Sequence, residues 1–131
     1  MNLMLARSTY IQDHKVQVSD IADPHTTILL VMQELNKNLR KIADHGTRHA
    51  ALRKQFTNAF TAIYILQTSL DFTRGGEIAE NLFQLYEYLR QELLKAFGRN
   101  PDHSLSNCIV LLDEIIEAWE RIGSMVGGKP T

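Results

Sequence analysis

The sequence has few of the features that mark secreted, membrane-bound or strongly charged proteins. Its 131 residues include one cysteine, so no disulfide can form within the chain, which fits a reducing compartment. Lysine and arginine number 14 against 15 acidic residues, which gives no general attraction to nucleic acid or acidic lipid. Apolar runs such as ILLVM at 28–32 fall far short of the roughly 20 residues of a membrane span. The start MNLMLAR is too short an apolar run for a signal peptide, so we expect a single-domain cytosolic protein.

Proline is also rare, and two of the three prolines mark helix starts. Pro24 follows Asp23, and Pro101 follows Asn100. A capping Asp or Asn followed by proline at the first helical position is typical of a helix N-terminus, because proline lacks an N–H that would otherwise go unbonded there. The third proline lies in the C-terminal tail, so none interrupts a periodic segment.

Apolar residues recur at helical spacing in four segments, and no segment alternates with a period of two. The segments run from Pro24 to a stop at Gly46, from about Arg48 to TRGG at 73–76, from Glu77 to Gly98, and from near Pro101 to Ile122. Four helices of about 20 residues with short loops predict an all-α, antiparallel up-down-up-down four-helix bundle over residues 23–123. Residues 1–22 are predicted to form an N-terminal arm or short helix, and residues 124–131 a flexible tail.

Gly75 and Gly76 stand between two of these segments and raise the question of a phosphate-binding loop. Such a loop requires a preceding strand and a Gly-Lys-Ser/Thr ending, whereas here a helix precedes and Glu77 follows. An acidic side chain at a helix N-terminus competes with phosphate for the same N–H groups. The pair therefore predicts a tight corner between the second and third helices, in which one glycine takes a positive φ and Glu77 and Glu80 complement the helix dipole.

Other side chains that carry chemistry are better explained by structure. His45 and His49 have metal-ligand spacing, but the predicted loop at Gly46 separates them and no third ligand has a suitable offset. Cys108 lies on an apolar stripe without a histidine on its face, which indicates a buried structural thiol. A solvated outer face is indicated for the carboxylates of the fourth helix: Asp113, Glu114, Glu117 and Glu120. We predict no catalytic residue, no cofactor and no metal site.

Basic residues cluster around the first predicted turn: Lys37, Arg40, Lys41, Arg48, Arg53 and Lys54. A nucleic-acid-binding patch is one interpretation, but no aromatic residues interleave with these cations to stack on bases. Cations also favour a helix C-terminus and keep a surface hydrated. The pattern favours a solvated surface, and we predict no nucleic-acid partner.

The helices carry more large apolar residues than one buried stripe requires. Eight residues fall off the predicted stripes: Leu30, Tyr64, Ile65, Phe72, Phe83, Tyr88, Leu94 and Val110. Each such side chain left in water forgoes roughly 1.5–3 kcal/mol of burial. We therefore predict a covered apolar groove, whose occupant is the N-terminal arm, a second copy of the chain or a client peptide.

The run SLDFTRGGEIAENLFQLYEYL at 69–89 resembles the signature of the flagellar secretion chaperone FliS family. The family carries Leu-Asp, Gly-Gly-Glu-Ile-Ala, Asn-Leu and Leu-Tyr-Asp-Tyr in this order, and here Glu87 replaces the aspartate. ADPH at 22–25 is similar to the start of the family's first helix, and LLDEIIEAWERI at 111–122 to its last helix. Tyr10 stands where the family has an N-terminal tyrosine, so the resemblance extends from about Tyr10 to Ile122.

The resemblance implies a cytoplasmic export chaperone that has no enzymatic activity and needs no cofactor. Members bind the disordered C-terminal region of flagellin in apolar grooves of a helical bundle, which prevents polymerisation before flagellar type III export. Together with the apolar surplus, this predicts a client-binding surface of Tyr10, Ile65, Phe72, Phe83, Tyr86, Tyr88, Leu94, Trp119 and Ile122. The arm with Tyr10 is predicted to cover a groove until the client arrives.

A different class of protein is kept as the alternative. A helical adaptor or a homodimeric interaction module with another client would show the same apolar surplus. We expect a monomer or a weak homodimer, with other flagellar export or regulatory proteins as further partners. A stable symmetric dimer would hide the groove, so light scattering across dilutions separates these alternatives.

Overall fold

The computed structural model of the protein describes residues 24–45 and 52–127. These ranges form four helices: α1 Pro24–Asp44, α2 Arg53–Thr68, α3 Phe72–Phe97 and α4 Leu105–Gly127. Neither range contains a strand, and none of these helices is long and apolar enough to cross a membrane. The predicted all-α class is confirmed.

The helices form a ring in which each packs on the next and α4 returns to α1. Contacts between helix ends define the antiparallel directions: the start of α1 meets the end of α4 through His25 and Trp119, and the start of α2 meets the end of α3 through Phe56 and Phe97. The α1–α2 pair has the most extensive contact and the α3–α4 pair the least. The up-down-up-down bundle predicted from helix number and loop length is therefore confirmed.

The core lies along the axis of the ring and is made of residues at three- and four-residue spacing. Fully buried members from all four helices include Met32, Leu35, Leu39, Ile63, Leu66, Leu89, Leu93, Leu105 and Leu112. Cys108 is buried among them, and this burial raises the pKa of its thiol to about 12. The thiol is therefore protonated and structural, as predicted.

The end of α2 differs from the predicted boundary. The helix was expected to continue to TRGG but ends at Thr68, where hydroxyl groups bond the last carbonyls: Thr68 Oγ1 donates to the Tyr64 carbonyl (2.7 Å) and Ser69 Oγ to the Ile65 carbonyl (2.6 Å). Such local side-chain bonds compete with continuation of the helix. Asp71 then caps α3 by accepting the Arg74 N–H (3.0 Å), so the third helix begins at Phe72, five residues before the predicted start.

The start of α4 also differs, because Pro101 is not its first residue. Asn100 does not cap a helix; its Oδ1 accepts the Asp102 N–H (2.8 Å) and forms a local turn. Arg99 takes a left-handed φ of 61°, and the Asn100 N–H reaches back to the Lys95 carbonyl (2.8 Å), which completes a Schellman-type ending after Gly98. Residues 99–102 therefore end α3 and form the turn that follows it, and α4 begins only at Leu105.

The remaining boundary predictions fall at the edges of the described ranges. Helix α4 runs to Gly127, four residues into the segment predicted to be a flexible tail. The cap at Asp23, the stop at Gly46, the start near Arg48, His49 and the arm with Tyr10 lie outside the described residues.

Gly76 forms a sharp kink inside α3. Its φ of 49° and ψ of −123° are accessible to glycine but strained for other residues, which confirms the predicted positive φ. The corner separates the first turn of α3, residues 72–75, from the long helix that follows, whereas the prediction put it between the second and third helices. Gly75 allows a close approach at this corner, because a Cβ there would lie 2.8 Å from the Cβ of Ala79.

Gly76→Ala is expected to lower the free energy of unfolding by about 1–3 kcal/mol, since alanine must adopt a strained conformation. The matched control is Gly98→Ala, because Gly98 has a φ of −79° and its nearest Cβ contact would be an ordinary 3.5 Å. Urea unfolding followed by circular dichroism measures both variants. Equal stabilities for the two variants would contradict the assigned role of Gly76.

Candidate functional site

One face of the bundle, between α2 and α3, displays apolar side chains to solvent. We call it the aromatic face and define it by Phe60, Phe72, Phe83, Leu94 and Phe97. Phe72 and Phe83 have ring centroids 6.0 Å apart, and Phe97 lies edge-on to Phe60 at 6.2 Å. Phe72, Leu94 and Phe97 are exposed, and Phe60 and Phe83 are half-buried. Helical spacing places Phe83, Leu94 and Phe97 on the same side of α3.

A polar network divides the aromatic face near its middle. The Glu87 carboxylate accepts hydrogen bonds from Gln67 (3.2 Å), from Arg90 Nε (2.9 Å) and from Gln91 (3.0 Å). These hydrogen bonds lower the pKa of Glu87 to about 2. The bond from Arg90 has the largest effect, followed by the bonds from Gln91 and Gln67. Glu87 is therefore ionised and held in place at neutral pH. A partner on this face meets two apolar patches separated by a fixed polar group.

A second apolar surface is a cavity of about 330 Å³ at one end of the bundle, which we call the end cavity. The start of α1, the end of α2, the start of α3 and the end of α4 meet there. Its apolar lining includes Ile28, Leu66, Leu70, Ile78, Leu82, Tyr86 and Trp119. Asp71 and Arg74 contribute polar atoms to the lining. The volume lies at the lower end of the range for ligand pockets and suits a few side chains of a partner.

His25 and Trp119 join α1 to α4 beside this cavity. Their rings stack with centroids 5.0 Å apart and planes within 5°. The indole Nε1 donates to the His25 carbonyl (3.0 Å), and His25 Nε2 donates to the Trp119 carbonyl (2.8 Å). We refer to this arrangement as the His25–Trp119 clasp.

The opposite face, between α1 and α4, is polar. Arg40 Nη2 lies 2.6 Å from Asp113 Oδ2, and Arg40 Nε donates to Asn36 Oδ1 (3.0 Å). Lys37 lies 3.9 Å from Glu34. Two cations of the predicted basic cluster are therefore paired with carboxylates. The outer carboxylates of α4 predicted to be solvated are exposed: Asp113, Glu114, Glu117 and Glu120.

Ile65 was predicted to lie in the groove, and this placement is wrong. Its side chain is 0% exposed and belongs to the core. Helical spacing puts Ile65 on the far side of the α2 stripe from Gln67, which bonds to α3. That side is buried because α1 packs closely on α2.

The other predicted site residues divide between the surfaces. Phe72, Phe83 and Leu94 come together on the aromatic face, whereas Tyr86 and Trp119 line the end cavity. Tyr86 is only 2% exposed, and burial raises its pKa to about 12, so it contacts a partner only from within the cavity. The remaining two lie on other parts of the surface. Tyr88 is half-buried, and its hydroxyl accepts a hydrogen bond from the Asn107 amide of α4 (3.0 Å). Ile122 is exposed near the end of α4.

Sequence reasoning did not select several residues of these surfaces. Helical spacing places Ile78 on the apolar stripe of the third helix with Leu82, Leu85 and Leu89, but Ile78 is 71% exposed, because it follows the kink at Gly76 and α4 packs only sparsely on α3. Phe97 was not selected, although its three-residue spacing from Leu94 is a signal that identifies it. No sequence pattern indicates the pairing of His25 with Trp119, which are 94 residues apart.

No group of three histidine, cysteine or carboxylate side chains within residues 24–45 and 52–122 is arranged to hold a metal ion. The described geometry instead offers apolar surface. Fold and site thus define the chain as an all-α bundle with an exposed aromatic face and an apolar end cavity.

Comparison with known proteins identifies the family. Residues 6–126 match the family described as flagellar protein FliS, and the chain belongs to this family. It is 36% identical to the flagellar secretion chaperone FliSB of Pseudomonas aeruginosa, over 93% of this chain and 98% of the relative. It is 44% identical to the flagellar secretion chaperone FliS of Salmonella typhimurium over 44% of this chain and 42% of the relative. It is 28% identical to the Vibrio cholerae protein of the same name, over 77% and 76% of the two chains. No solved structure matches the chain.

Proposed function

We propose that the protein is a cytoplasmic flagellar secretion chaperone that binds the disordered C-terminal region of flagellin and prevents its polymerisation before type III export. Family membership supports the chaperone role, and the relatives carry that name. The observation that carries the proposal is the aromatic face, on which large apolar side chains stay exposed although the bundle already has a complete core. Exposed apolar surface of this kind marks a binding site for another polypeptide.

The aromatic face has the dimensions of a helix-binding groove. Phe83 and Phe97 are 14 positions apart on α3, which corresponds to about 20 Å along the helix. An amphipathic client helix of about four turns would cover this length with its apolar side. The Glu87 network favours a client helix with a polar residue between two apolar groups, because apolar groups would displace water from the paired charges of Glu87 and Arg90 without replacing its hydrogen bonds.

Binding of this kind requires no covalent chemistry. A disordered client must become ordered on the bundle, so the ordering entropy opposes binding and a large contact area is needed. The aromatic face and the end cavity together supply such area. Sequestration follows mass action, since each bound client is removed from the pool that polymerises.

The test is co-purification of the protein with flagellin, using full-length flagellin and flagellin without its C-terminal ~40 residues, a length that suffices to wrap a small bundle. We expect full-length flagellin to co-purify with the protein and truncated flagellin not to co-purify. Loss of an exposed anchor should weaken binding about tenfold, so Phe72→Ala and Leu94→Ala serve as face variants. Val110→Ala is the matched control, because Val110 is exposed on the outer side of α4.

Binding that ignores the C-terminal segment would contradict the proposal, as would equal affinity of the face variants and the Val110→Ala control. A second outcome would favour the adaptor alternative. If light scattering gives a stable dimer that Phe72→Ala dissociates, the aromatic face pairs with a second copy of the chain.

A further inference from the structure

We propose that His25 is a positioning residue for client binding, because it holds the Trp119 indole in place as one wall of the end cavity. The inference rests on the proposed chaperone function for the use of the cavity, and it assigns a role to a residue outside the predicted client-binding surface. It is carried by the geometry of the His25–Trp119 clasp.

Two hydrogen bonds and one stack fix the indole in a single orientation. The Nε1–H of Trp119 is directed at the His25 carbonyl (3.0 Å), and His25 Nε2 is directed at the Trp119 carbonyl (2.8 Å). A carbonyl oxygen can only accept, so the imidazole carries its proton on Nε2. The parallel stack at 5.0 Å covers one face of the indole with the imidazole.

This orientation decides what Trp119 presents to the cavity. The polar N–H edge points to α1 and one ring face is covered, so the remaining apolar surface of the indole is what lines the cavity beside Ile28. Ile28 lies one helical turn after His25 on α1. One turn of α1 therefore both holds the tryptophan and supplies the neighbouring part of the wall.

Trp119 needs this support because its helix is weakly held on the other side. The α3–α4 pair has the least extensive contact in the ring, and Trp119 is only half-buried. A half-buried side chain that is not held samples several rotamers and must be ordered when a client binds. A binding-site side chain whose rotamer is already locked avoids that cost, so the clasp raises affinity by pre-organisation.

The experiment uses Trp119 as its own reporter, since the chain contains one tryptophan. Acrylamide quenching of its fluorescence measures indole accessibility, and a peptide of the flagellin C-terminal segment measures client affinity. The variants are His25→Ala, which removes ring and donor, and His25→Phe, which keeps a ring and removes the donor. His45→Ala is the matched control, because His45 lies at the other end of α1, where its Nδ1 bonds to the Lys41 carbonyl of the same helix.

We expect His25→Ala to increase quenching of Trp119 and to weaken peptide binding about tenfold, as for loss of pre-organisation at one anchor. His25→Phe should give intermediate values, and His45→Ala should match the wild type. Melting temperatures identify any unfolded variant, and His25→Phe provides the folded one if His25→Ala fails to fold.

Unchanged quenching in both His25 variants would overturn the inference, whatever the client. Increased quenching with unchanged peptide affinity would also overturn it, because the clasp would then be only structural. Failure of the wild-type protein to bind the peptide would instead overturn the proposed function. The quenching data would in that case still decide whether His25 holds the indole.

Discussion

Replacing Ile65 with alanine is expected to lower the free energy of unfolding by about 2–5 kcal/mol, the range for truncating a fully buried aliphatic side chain. Ile65 is 0% exposed and belongs to the core cluster, and its helix α2 makes with α1 the most extensive contact of the bundle. Truncation removes the transfer free energy of the side chain and leaves a cavity that the packed helices cannot fill. Urea unfolding at neutral pH, followed by circular dichroism, measures the change.

Ile78→Ala is the matched control, since it makes the same truncation at a side chain that is 71% exposed. Its stability should stay within about 0.5 kcal/mol of the wild type. Because Ile78 lines the end cavity, the variant should instead weaken binding of the flagellin C-terminal peptide. A large loss of stability at Ile78 with little at Ile65 would restore the assignment that the sequence pattern favours.

That pair of isoleucines shows what helical periodicity can and cannot predict. Spacing of three and four residues identifies the centre of a buried stripe, and Leu35, Leu66 and Leu112, which have this spacing from their apolar neighbours, are buried. It does not give the width of the stripe, which depends on how closely the neighbouring helices pack. Helix α2 packs most extensively on α1 and also on α3, so its buried arc includes Ile65, whereas α3 packs only sparsely on α4.

Local chemistry predicted some boundaries and missed others. The paired glycines predicted a corner with a positive φ, and Gly76 provides it, because few other residues tolerate that conformation. The same reasoning placed a helix start at Asn100 and Pro101, where the chain forms a turn that ends α3. An Asn-Pro pair satisfies its backbone preferences both at a helix start and in a turn, so the local sequence does not decide between these two structures.

The candidate site was predictable in part. Off-stripe spacing identified Phe72, Phe83 and Leu94. Phe72 was predicted on the second helix but lies at the start of α3, where its ring still contacts Phe83. The end cavity depends on where four helix ends meet and on a kink, and the His25–Trp119 clasp depends on contact between the first and last helices. These are tertiary features, and one sequence contains no pattern that specifies them.

A second large effect is expected at Glu92, a carboxylate that is 5% exposed and joins α3 to the start of α4. Its Oε1 accepts the Ser104 N–H (2.8 Å), and its Oε2 lies 3.0 Å from Lys95 Nζ. Glu92→Ala leaves the Ser104 N–H without its partner and removes an ionic hydrogen bond. The expected loss in the free energy of unfolding is about 1.5–3 kcal/mol at neutral pH.

The Glu92 carboxylate also makes stability depend on pH. Two hydrogen bonds lower the pKa of Glu92, although burial of the carboxylate opposes this shift. The bond from Lys95 has the larger effect and the bond from the Ser104 N–H the smaller one. A group whose pKa is lower in the folded state stabilises the fold above its unfolded pKa of about 4.3, and this contribution is lost as the pH falls through the folded pKa. The wild-type free energy of unfolding should therefore decline below about pH 4.3.

Glu92→Gln separates charge from hydrogen bonding, because the amide oxygen still accepts from Ser104 but does not titrate. The variant should be less stable than the wild type at pH 7, and the difference should shrink towards pH 3, as urea midpoints across this range would measure. Glu87 titrates in both proteins with a lowered pKa, so its contribution to the pH dependence cancels in the comparison.

Glu117→Gln is the control, since the Glu117–Arg121 pair is largely exposed and exposed pairs contribute about 0–1 kcal/mol. A stability difference between wild type and Glu92→Gln that stays constant with pH would contradict the role of the carboxylate charge. The connection between α3 and α4 would then depend only on the hydrogen bond from the Ser104 N–H.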